Sequence, residues 1–354
     1  MTNYNNDSPL SKINGTRIFF AVLIGLGIVA LLLVKDFNKE AFKLMPLTYS
    51  AVLFLGLAIL FMVFRDLGYM IRIRILSKND LSWRQSFRVI MLWEFSSALM
   101  PSAVGGTTIA MIFVNKEGIN LGRSTAVVMA TSFLDELYFI LMFPLLLLII
   151  KVNRLFDVGI GGEFIWFAVI GYFLKLIYTV ILSYGLFVNP RGLKWLLLLL
   201  FKLPFLRKFR YGAYITGTDI VTSSTQLKQE KFGFWLKAFI ATFFSWTSRY
   251  WVVNALMLAF FTIPDHFLLF ARQLVMSNMM LLSPTPGASG VSEYIFTQYL
   301  GDLIPVQAAV LGSVSVLLAF LWRLISYYPY LIIGALILPN WLKISFRRKH
   351  NKKT

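Results

Sequence analysis

The sequence contains no cysteine and only two histidines, His266 and His350. The absence of cysteine excludes disulfide bonds, iron–sulfur ligation and thiol nucleophiles. Two histidines that lie far apart in a chain without cysteine also exclude the usual zinc sites. No G-x-x-x-x-G-K-[ST] loop for binding nucleotide phosphates is present. The sequence therefore predicts a protein without metal, cofactor or catalytic residues, and not an enzyme.

Charged residues are also scarce. They make up 14% of the 354 residues, whereas a soluble domain has about 25%. Long stretches such as Ile18–Val34 and Leu47–Phe64 contain no charge at all. A helix that crosses a bilayer needs about 20 mainly apolar residues. The composition therefore predicts an all-α fold, that of a polytopic integral membrane protein.

The apolar blocks predict about six membrane spans. They cover residues 17–34, 46–64, 124–150, 164–188, 236–263 and 308–338. The first block lacks a small-residue cleavage site and is followed by further spans, which favours a retained helix over a signal peptide.

Basic residues orient the chain. The net charge is +18, and most of the lysines and arginines fall in the segments 65–88, 190–237 and 339–354. By the positive-inside rule these three segments are cytoplasmic, as are both termini, and the protein belongs in the cell inner membrane. The cationic residues are expected to contact anionic lipid headgroups and not nucleic acid. Residues 192–210, apolar with basic ends, predict an interfacial segment on the inner leaflet, with a buried loop helix as the alternative.

Two segments, 87–115 and 267–300, are apolar on both sides of a Pro/Gly break. Segment 190–237 stays cytoplasmic only if both are re-entrant hairpins and not full spans. Such breaks must face protein or a wet cavity. The chain then divides into a tail 1–16, a repeat 17–150, a second repeat 151–338 and a tail 339–354, which is an inverted repeat of the transporter type. The predicted broken-helix elements are Pro101, Gly105, Gly106, Pro286, Gly287 and Gly290.

Several charged residues are predicted at membrane depth, where charges are costly and mark function or ion pairs. The candidate substrate-binding residues are Asp135, Glu136, Arg249, Glu293 and Arg323. The arginines could bind a lipid phosphate and the carboxylates a cationic group or a proton. A structural ion pair between Asp135 and Arg323 is the alternative left open. Structural roles are favoured for Glu94 and Arg272, near an interface, and for Lys175, whose long stem can snorkel.

Gly287–Gly290 matches the G-x-S-G motif of rhomboid intramembrane proteases. That mechanism needs a histidine base on a later helix. His266 lies upstream and His350 lies in the C-terminal tail, so the dyad cannot form. No stretch outside the predicted membrane segments is long enough for a catalytic domain.

Three stretches are similar to the lysylphosphatidylglycerol synthase transmembrane (flippase-like) family. They are Pro101–Gly106 leading through Lys116–Gly118 to Phe133–Phe139, then Pro284–Glu293, and finally Trp322–Gly334. The resemblance covers residues 15–340 and implies a lipid translocation domain without the aminoacyl transferase. Ser132 and Ala288-Ser289 differ from the family pattern, which argues against an aminoacylated lipid as substrate.

The residues and the resemblance together predict translocation of a lipid across the cytoplasmic membrane, with an anionic phospholipid or a polyprenyl-phosphate lipid as cargo. The alternative is a non-transporting scaffold or accessory subunit of a lipid- or glycan-synthesis complex. The expected partners are membrane lipids, and a homo-oligomer and enzymes of lipid or glycan synthesis stay open.

Overall fold

The computed structural model describes residues 39–100, 106–156, 163–200, 202 and 210–350. These residues form helices and contain no β-strand, which confirms the predicted all-α fold. The tail 1–16, the predicted first span 17–34, and Pro101 and Gly105 of the first break lie outside the described residues.

Fourteen α-helices follow one another along this part of the chain. They are α1 (Lys39–Lys43), α2 (Tyr49–Leu76), α3 (Trp83–Leu99), α4 (Thr107–Lys116), α5 (Leu121–Ile149), α6 (Val152–Phe156), α7 (Glu163–Ser183), α8 (Pro190–Leu200), α9 (Arg210–Lys228), α10 (Phe232–Leu258), α11 (His266–Met280), α12 (Val291–Leu300), α13 (Ala308–Ser326) and α14 (Tyr328–His350). A π-helical turn, Tyr184–Val188, continues α7, and a short 3₁₀ turn, Gly301–Leu303, follows α12.

Four of the described helical stretches are long and apolar enough to cross a membrane. They are Tyr49–Leu76, Leu121–Ile149, Ile165–Val188 and Ala308–Trp341, and they correspond to four of the predicted spans. The predicted span 236–263 corresponds to α10, a helix of 27 residues. Large apolar side chains such as Leu148, Trp166 and Leu336 are exposed, as expected for a surface that faces lipid.

Helix α2 is longer than the sequence predicted. The second span was expected to end at residue 64, before a basic cytoplasmic loop, but the helix continues to Leu76. Arg65 and Arg72 therefore lie on a buried helix face and not in a loop. The boundary prediction was wrong because the charges that suggested a loop are neutralised by carboxylates from other helices.

Helices α2 and α10 pack closely around Gly68. A Cβ atom at Gly68 would lie 2.8 Å from the Ser245 Cβ and 2.9 Å from the Ala241 carbonyl oxygen. The Ser245 hydroxyl donates a hydrogen bond of 2.7 Å to the Arg65 carbonyl. Small residues at such a contact let two backbones approach, as is common between membrane helices. The contact places Arg65 and Arg72 of α2 beside helix α10, and they line the same cavity as its Arg249.

The segment predicted to break at Pro101 forms a helical hairpin, α3 and α4. The start of α3 and the end of α4 lie side by side. The Arg88 guanidinium donates to both carboxylate oxygens of Glu117, at 2.9 and 2.8 Å, and the Gln85 side chain donates to the Glu117 carbonyl at 2.9 Å. Ser82 and Gln85 form a capping box at the start of α3, which fixes where the hairpin begins.

Helices α11 and α12 form a second hairpin that is closed in the same way. Arg272, in the second turn of α11, forms an ion pair with Asp302, just after α12. It also donates to the Tyr299 carbonyl at 3.3 Å. In each hairpin the returning helix has ten residues, and an arginine of the first helix holds a carboxylate just beyond the second. The two segments thus have matching shapes.

The tips of the two hairpins meet. The Gly287 amide donates a 3.0 Å hydrogen bond to the Met100 carbonyl, across 187 residues of sequence. The Tyr327 hydroxyl donates to the Ala98 carbonyl at 3.0 Å. Tyr327 itself interrupts the last predicted span between α13 and α14, with φ −131° and ψ −57°. The breaks are therefore contact points, each supplying backbone groups to the other.

We expect Gly287→Ala to destabilise the tip contact. Gly287 has φ +54° and its Cβ would lie 2.9 Å from the Ala98 carbonyl oxygen. A left-handed conformation costs a side chain about 1–2 kcal/mol, and crowding adds about 1–3 kcal/mol. Gly56→Ala is the matched control, since Gly56 lies in α2 with no atom within 4 Å of its Cβ position, where alanine is favourable. Thermal unfolding in detergent should show a lower melting temperature for Gly287→Ala and no decrease for Gly56→Ala. Equal melting temperatures would contradict the tip contact.

Candidate functional site

A cavity of about 360 Å³ lies where the hairpin tips meet. Ser97, Ala98 and Gly106 of the first tip line it, together with Gly287 and Ala288 of the second. The charged residues of its wall, within the part of the chain that the structure describes, are Arg65, Arg72, Lys175, Arg249 and Arg323 against Glu94, Asp135 and Glu136. The wall thus carries five basic and three acidic side chains.

Asp135 pairs with Arg72. The two guanidinium nitrogens of Arg72 contact the two carboxylate oxygens of Asp135, one pair at 3.2 Å, and the Trp246 indole also donates to Asp135. Arg72 is 2% exposed. The alternative of an Asp135–Arg323 pair was therefore wrong. Both residues line the cavity, but each has a different partner.

Arg323 is tied to the second break. Its Nε lies 3.1 Å from Glu293 Oε1, and its Nη2 donates to the Gly287 carbonyl and the Ser289 hydroxyl, at 3.2 and 3.1 Å. Glu293 Oε2 accepts from the Gly290 amide at 2.6 Å, which caps α12. Glu293 is fully buried behind Arg323 and is not part of the cavity wall. This pair holds the broken backbone in place.

Glu136 pairs with Lys175 at 3.0 Å. The ammonium also lies 4.0 Å from the centre of the Phe139 ring. Lys175 is 7% exposed and lines the cavity. The prediction that its side chain snorkels to an interface was therefore wrong. A desolvated ammonium needs such a partner, and Glu136 supplies it.

Arg65 is a site residue that the sequence analysis missed. Its Nη1 lies 2.9 Å from Asp66 Oδ1, and its Nη2 forms an ion pair with Glu94. The Tyr330 hydroxyl lies 3.0 Å from both carboxylate oxygens of Asp66. Glu94, predicted to have a structural role near an interface, lies on the cavity wall. The available signal was the apolar pattern of residues 67–76, which continues the helix past the charges.

Arg249 differs from the other basic residues of the wall. It is half-buried, and among the described residues no carboxylate lies within 4 Å of it. Its guanidinium lies 5.7 Å from the centre of the Trp246 ring. A guanidinium offers five donors that match the oxygens of a phosphate. Within the described wall, Arg249 can thus bind an anion without giving up a carboxylate.

Of the described broken-helix elements, Gly106 and Gly287 lie on the cavity wall. The Gly106 amide donates to the Ser97 hydroxyl at 3.2 Å, and a Cβ there would lie 2.8 Å from the Ser97 nitrogen. Pro286 accepts a bond from the Ser289 amide in the turn, and Gly290, at φ +85°, begins α12. The structure therefore brings together Asp135, Glu136, Arg249 and Arg323 at one cavity, with Glu293 one layer behind.

Two comparisons place the chain among known proteins. The family model described as the lysylphosphatidylglycerol synthase TM region matches residues 18–334. A "UPF0104 membrane protein" of Archaeoglobus fulgidus is 25% identical over 307 residues, which cover 82% of this chain and 88% of that protein.

Proposed function

We propose that this chain, a member of the lysylphosphatidylglycerol synthase transmembrane-region family, translocates a lipid with an anionic headgroup across the cytoplasmic membrane. The observation that carries the proposal is a polar cavity whose described wall carries five basic and three acidic side chains, enclosed by helices whose outer faces are apolar. A headgroup can occupy such a cavity while its acyl or polyprenyl tails stay in the bilayer.

The wall favours a headgroup that carries negative charge and no ammonium group. Each of its three carboxylates already has a basic partner: Glu94 has Arg65, Asp135 has Arg72 and Glu136 has Lys175. On the described wall, no carboxylate is left to bind the amine of an aminoacylated lipid without breaking a pair. Arg249, by contrast, can bind a phosphate oxygen without losing a carboxylate. An anionic phospholipid or a polyprenyl phosphate therefore fits this wall better than an aminoacyl lipid.

The hairpins support a re-entrant, inverted-repeat arrangement. Each returns to the level at which it began, held by Arg88–Glu117 in one case and Arg272–Asp302 in the other. Two such hairpins that meet tip to tip enter a bilayer from opposite faces, as the broken helices of transporters do. In this arrangement there are six spans, both termini are cytoplasmic, and the cavity lies near the middle of the membrane.

Single introduced cysteines test this topology, because the chain has no native cysteine. Cysteines at Asn115 and Lys228 should react with a membrane-impermeant maleimide only from the cytoplasmic side. A cysteine at Gln307, exposed after the second hairpin, should react only from the outside. Lys228→Cys is the control, since the basic segment 190–237 predicts its cytoplasmic side without reference to the hairpins. Outside labelling at Asn115 would turn the first hairpin into a full span and remove the inverted repeat.

The function itself is tested with purified protein in liposomes. Fluorescent lipids of several headgroup classes are placed in both leaflets, and dithionite quenches those on the outside. We expect faster loss of the protected fraction for phosphatidylglycerol or a polyprenyl phosphate than for phosphatidylcholine. If no class moves faster than in protein-free liposomes and no lipid co-purifies, the scaffold alternative replaces the transport proposal.

A further inference from the structure

The charges around the cavity do not pair one to one. Among the described residues, and counting Asp66 and Glu293, which lie behind the wall, five basic side chains face five carboxylates. Three basic residues hold one carboxylate each. Arg65 holds two, and Arg249 has no carboxylate within 4 Å among the described residues. The cavity therefore has one surplus carboxylate at Arg65 and one surplus cation at Arg249.

The surplus carboxylate lies in a compact, half-buried cluster, in which the Asp66 and Glu94 side chains are each 20% exposed. Arg65 is 1% exposed, and its two terminal nitrogens contact Asp66 and Glu94 separately. The Tyr330 hydroxyl is equidistant from both oxygens of Asp66 but can donate only one hydrogen. With both carboxylates ionised, the cluster has a net charge of −1, which is unfavourable away from water. One proton shared by the two carboxyl groups makes it neutral, as for other coupled pairs.

Other charged and titratable groups face this cluster from each helix packed around it. They are Tyr69 and Arg72 of α2, Asp135 of α5, Arg249 and Tyr250 of α10, Arg323 of α13 and Tyr330 of α14. Arg72 and Asp135 neutralise each other, and Glu293 neutralises Arg323. Among the described residues of that wall, Arg249 remains without a carboxylate partner, and an anionic ligand would cancel its charge.

We infer that the Asp66–Arg65–Glu94 cluster is a proton-binding site coupled to the binding of an anionic phosphate headgroup at Arg249. This inference rests on the proposed lipid translocation and adds its coupling ion. An anion at Arg249 cancels the charge that, among the described residues of the wall, balances the surplus carboxylate. The cluster then holds a proton more tightly, and by reciprocity the proton strengthens anion binding. One anionic headgroup and one proton would cross together without net charge, so the membrane potential would not oppose them.

The sign of the pH dependence follows. Low pH protonates the cluster and favours the anion, so the affinity for the headgroup decreases as pH rises. For one linked proton the change is at most about tenfold per pH unit. A neutral or zwitterionic headgroup should show no such dependence.

Infrared spectroscopy reads the proton directly, through the C=O band of a protonated carboxyl group. The protein is placed in nanodiscs of phosphatidylcholine, with or without phosphatidylglycerol, and titrated between about pH 5 and pH 8, the range in which most proteins are stable. We expect a band that titrates in the wild type and is lost in both Glu94→Gln and Asp66→Asn. Glu230→Gln is the control, because that carboxylate pairs with Lys78 away from the cavity. It should leave the band unchanged.

The Arg249→Ala variant distinguishes coupling through Arg249 from the general effect of membrane surface charge on protonation. Anionic lipid concentrates protons at any membrane surface, so part of the shift in the titration will not depend on Arg249. We expect phosphatidylglycerol to shift the titration to higher pH by more in the wild type than in Arg249→Ala. Circular dichroism checks that each variant is folded, and if Asp66→Asn is not, Glu94→Gln decides.

The two proposals fail differently. A band that persists in the folded Glu94→Gln variant would overturn the proton site. Equal lipid shifts in the wild type and Arg249→Ala would overturn the coupling. A cluster that titrates and responds to phosphatidylglycerol through Arg249, in a protein that moves no lipid in liposomes, would overturn the transport proposal while leaving proton-linked anion binding in place.

Discussion

Arg249→Ala should slow translocation of an anionic lipid by about ten- to a hundredfold, since hydrogen bonds to charged groups contribute about 1.5–3 kcal/mol. The reason is its lack of a carboxylate partner within the described residues. Its guanidinium can bind a phosphate without breaking an ion pair, whereas Arg72 and Arg323 would have to release Asp135 and Glu293. The measurement is the dithionite assay with phosphatidylglycerol.

Protein stability should change little in Arg249→Ala, because among the described residues Arg249 holds no carboxylate. Arg191→Ala is the matched control, as Arg191 is exposed on α8 outside the cavity, and it should leave the rate unchanged. Arg249→Lys keeps the charge but loses the paired donors, so an intermediate rate is expected. A full wild-type rate in Arg249→Ala would remove Arg249 from the transport path.

Arg72→Met should destabilise the protein by up to about 3–5 kcal/mol, the cost of breaking a buried ion pair by removing one partner, because it leaves Asp135, 19% exposed, without its guanidinium. Arg72 is 2% exposed, and Asp135 takes hydrogen bonds from both its terminal nitrogens and from Trp246. Asp135→Leu should also destabilise, because it leaves the Arg72 guanidinium without its carboxylate.

The double variant Arg72→Met with Asp135→Leu should recover much of the loss, since an apolar pair of similar volume carries no desolvation penalty. Thermal and denaturant unfolding of the two single variants and the double variant gives the coupling energy. The surface pair Lys78–Glu230 is the control cycle, with side chains 48% and 24% exposed, and should couple by only about 0.2–1 kcal/mol. Additive effects in the Arg72–Asp135 cycle would show that the two residues do not interact in the folded protein.

The family and the structure together narrow the choice of ligand. The family is described by a lipid that carries a lysyl group, yet in this chain every carboxylate on the described cavity wall already holds a basic side chain. Headgroup selectivity in the liposome assay is therefore as informative as the rate. A preference for an aminoacylated lipid over phosphatidylglycerol would require one of these pairs to open.

Several features of the protein are determined by the sequence alone. Apolar blocks of about 20 residues predict membrane helices because span length is set by bilayer thickness. The Pro/Gly breaks near residues 101 and 286 predict interrupted helices because proline and glycine act locally on the backbone. The resemblance of the motifs to the family rests on the same local stretches. For these properties no knowledge of distant contacts is needed.

The boundary of α2 and the partners of the charges were decided only by the tertiary structure. In the sequence, Arg65 and Arg72 look like residues of a cytoplasmic loop. In the fold, α3 brings Glu94 against Arg65 and α5 brings Asp135 against Arg72, from 29 and 63 positions away. The sequence left an ion pair between Asp135 and Arg323 open, but helix packing places a different partner beside each of them. A buried charge is tolerated only where an opposite charge reaches it at hydrogen-bond distance. That distance depends on which helix faces meet, and sequence spacing does not specify this.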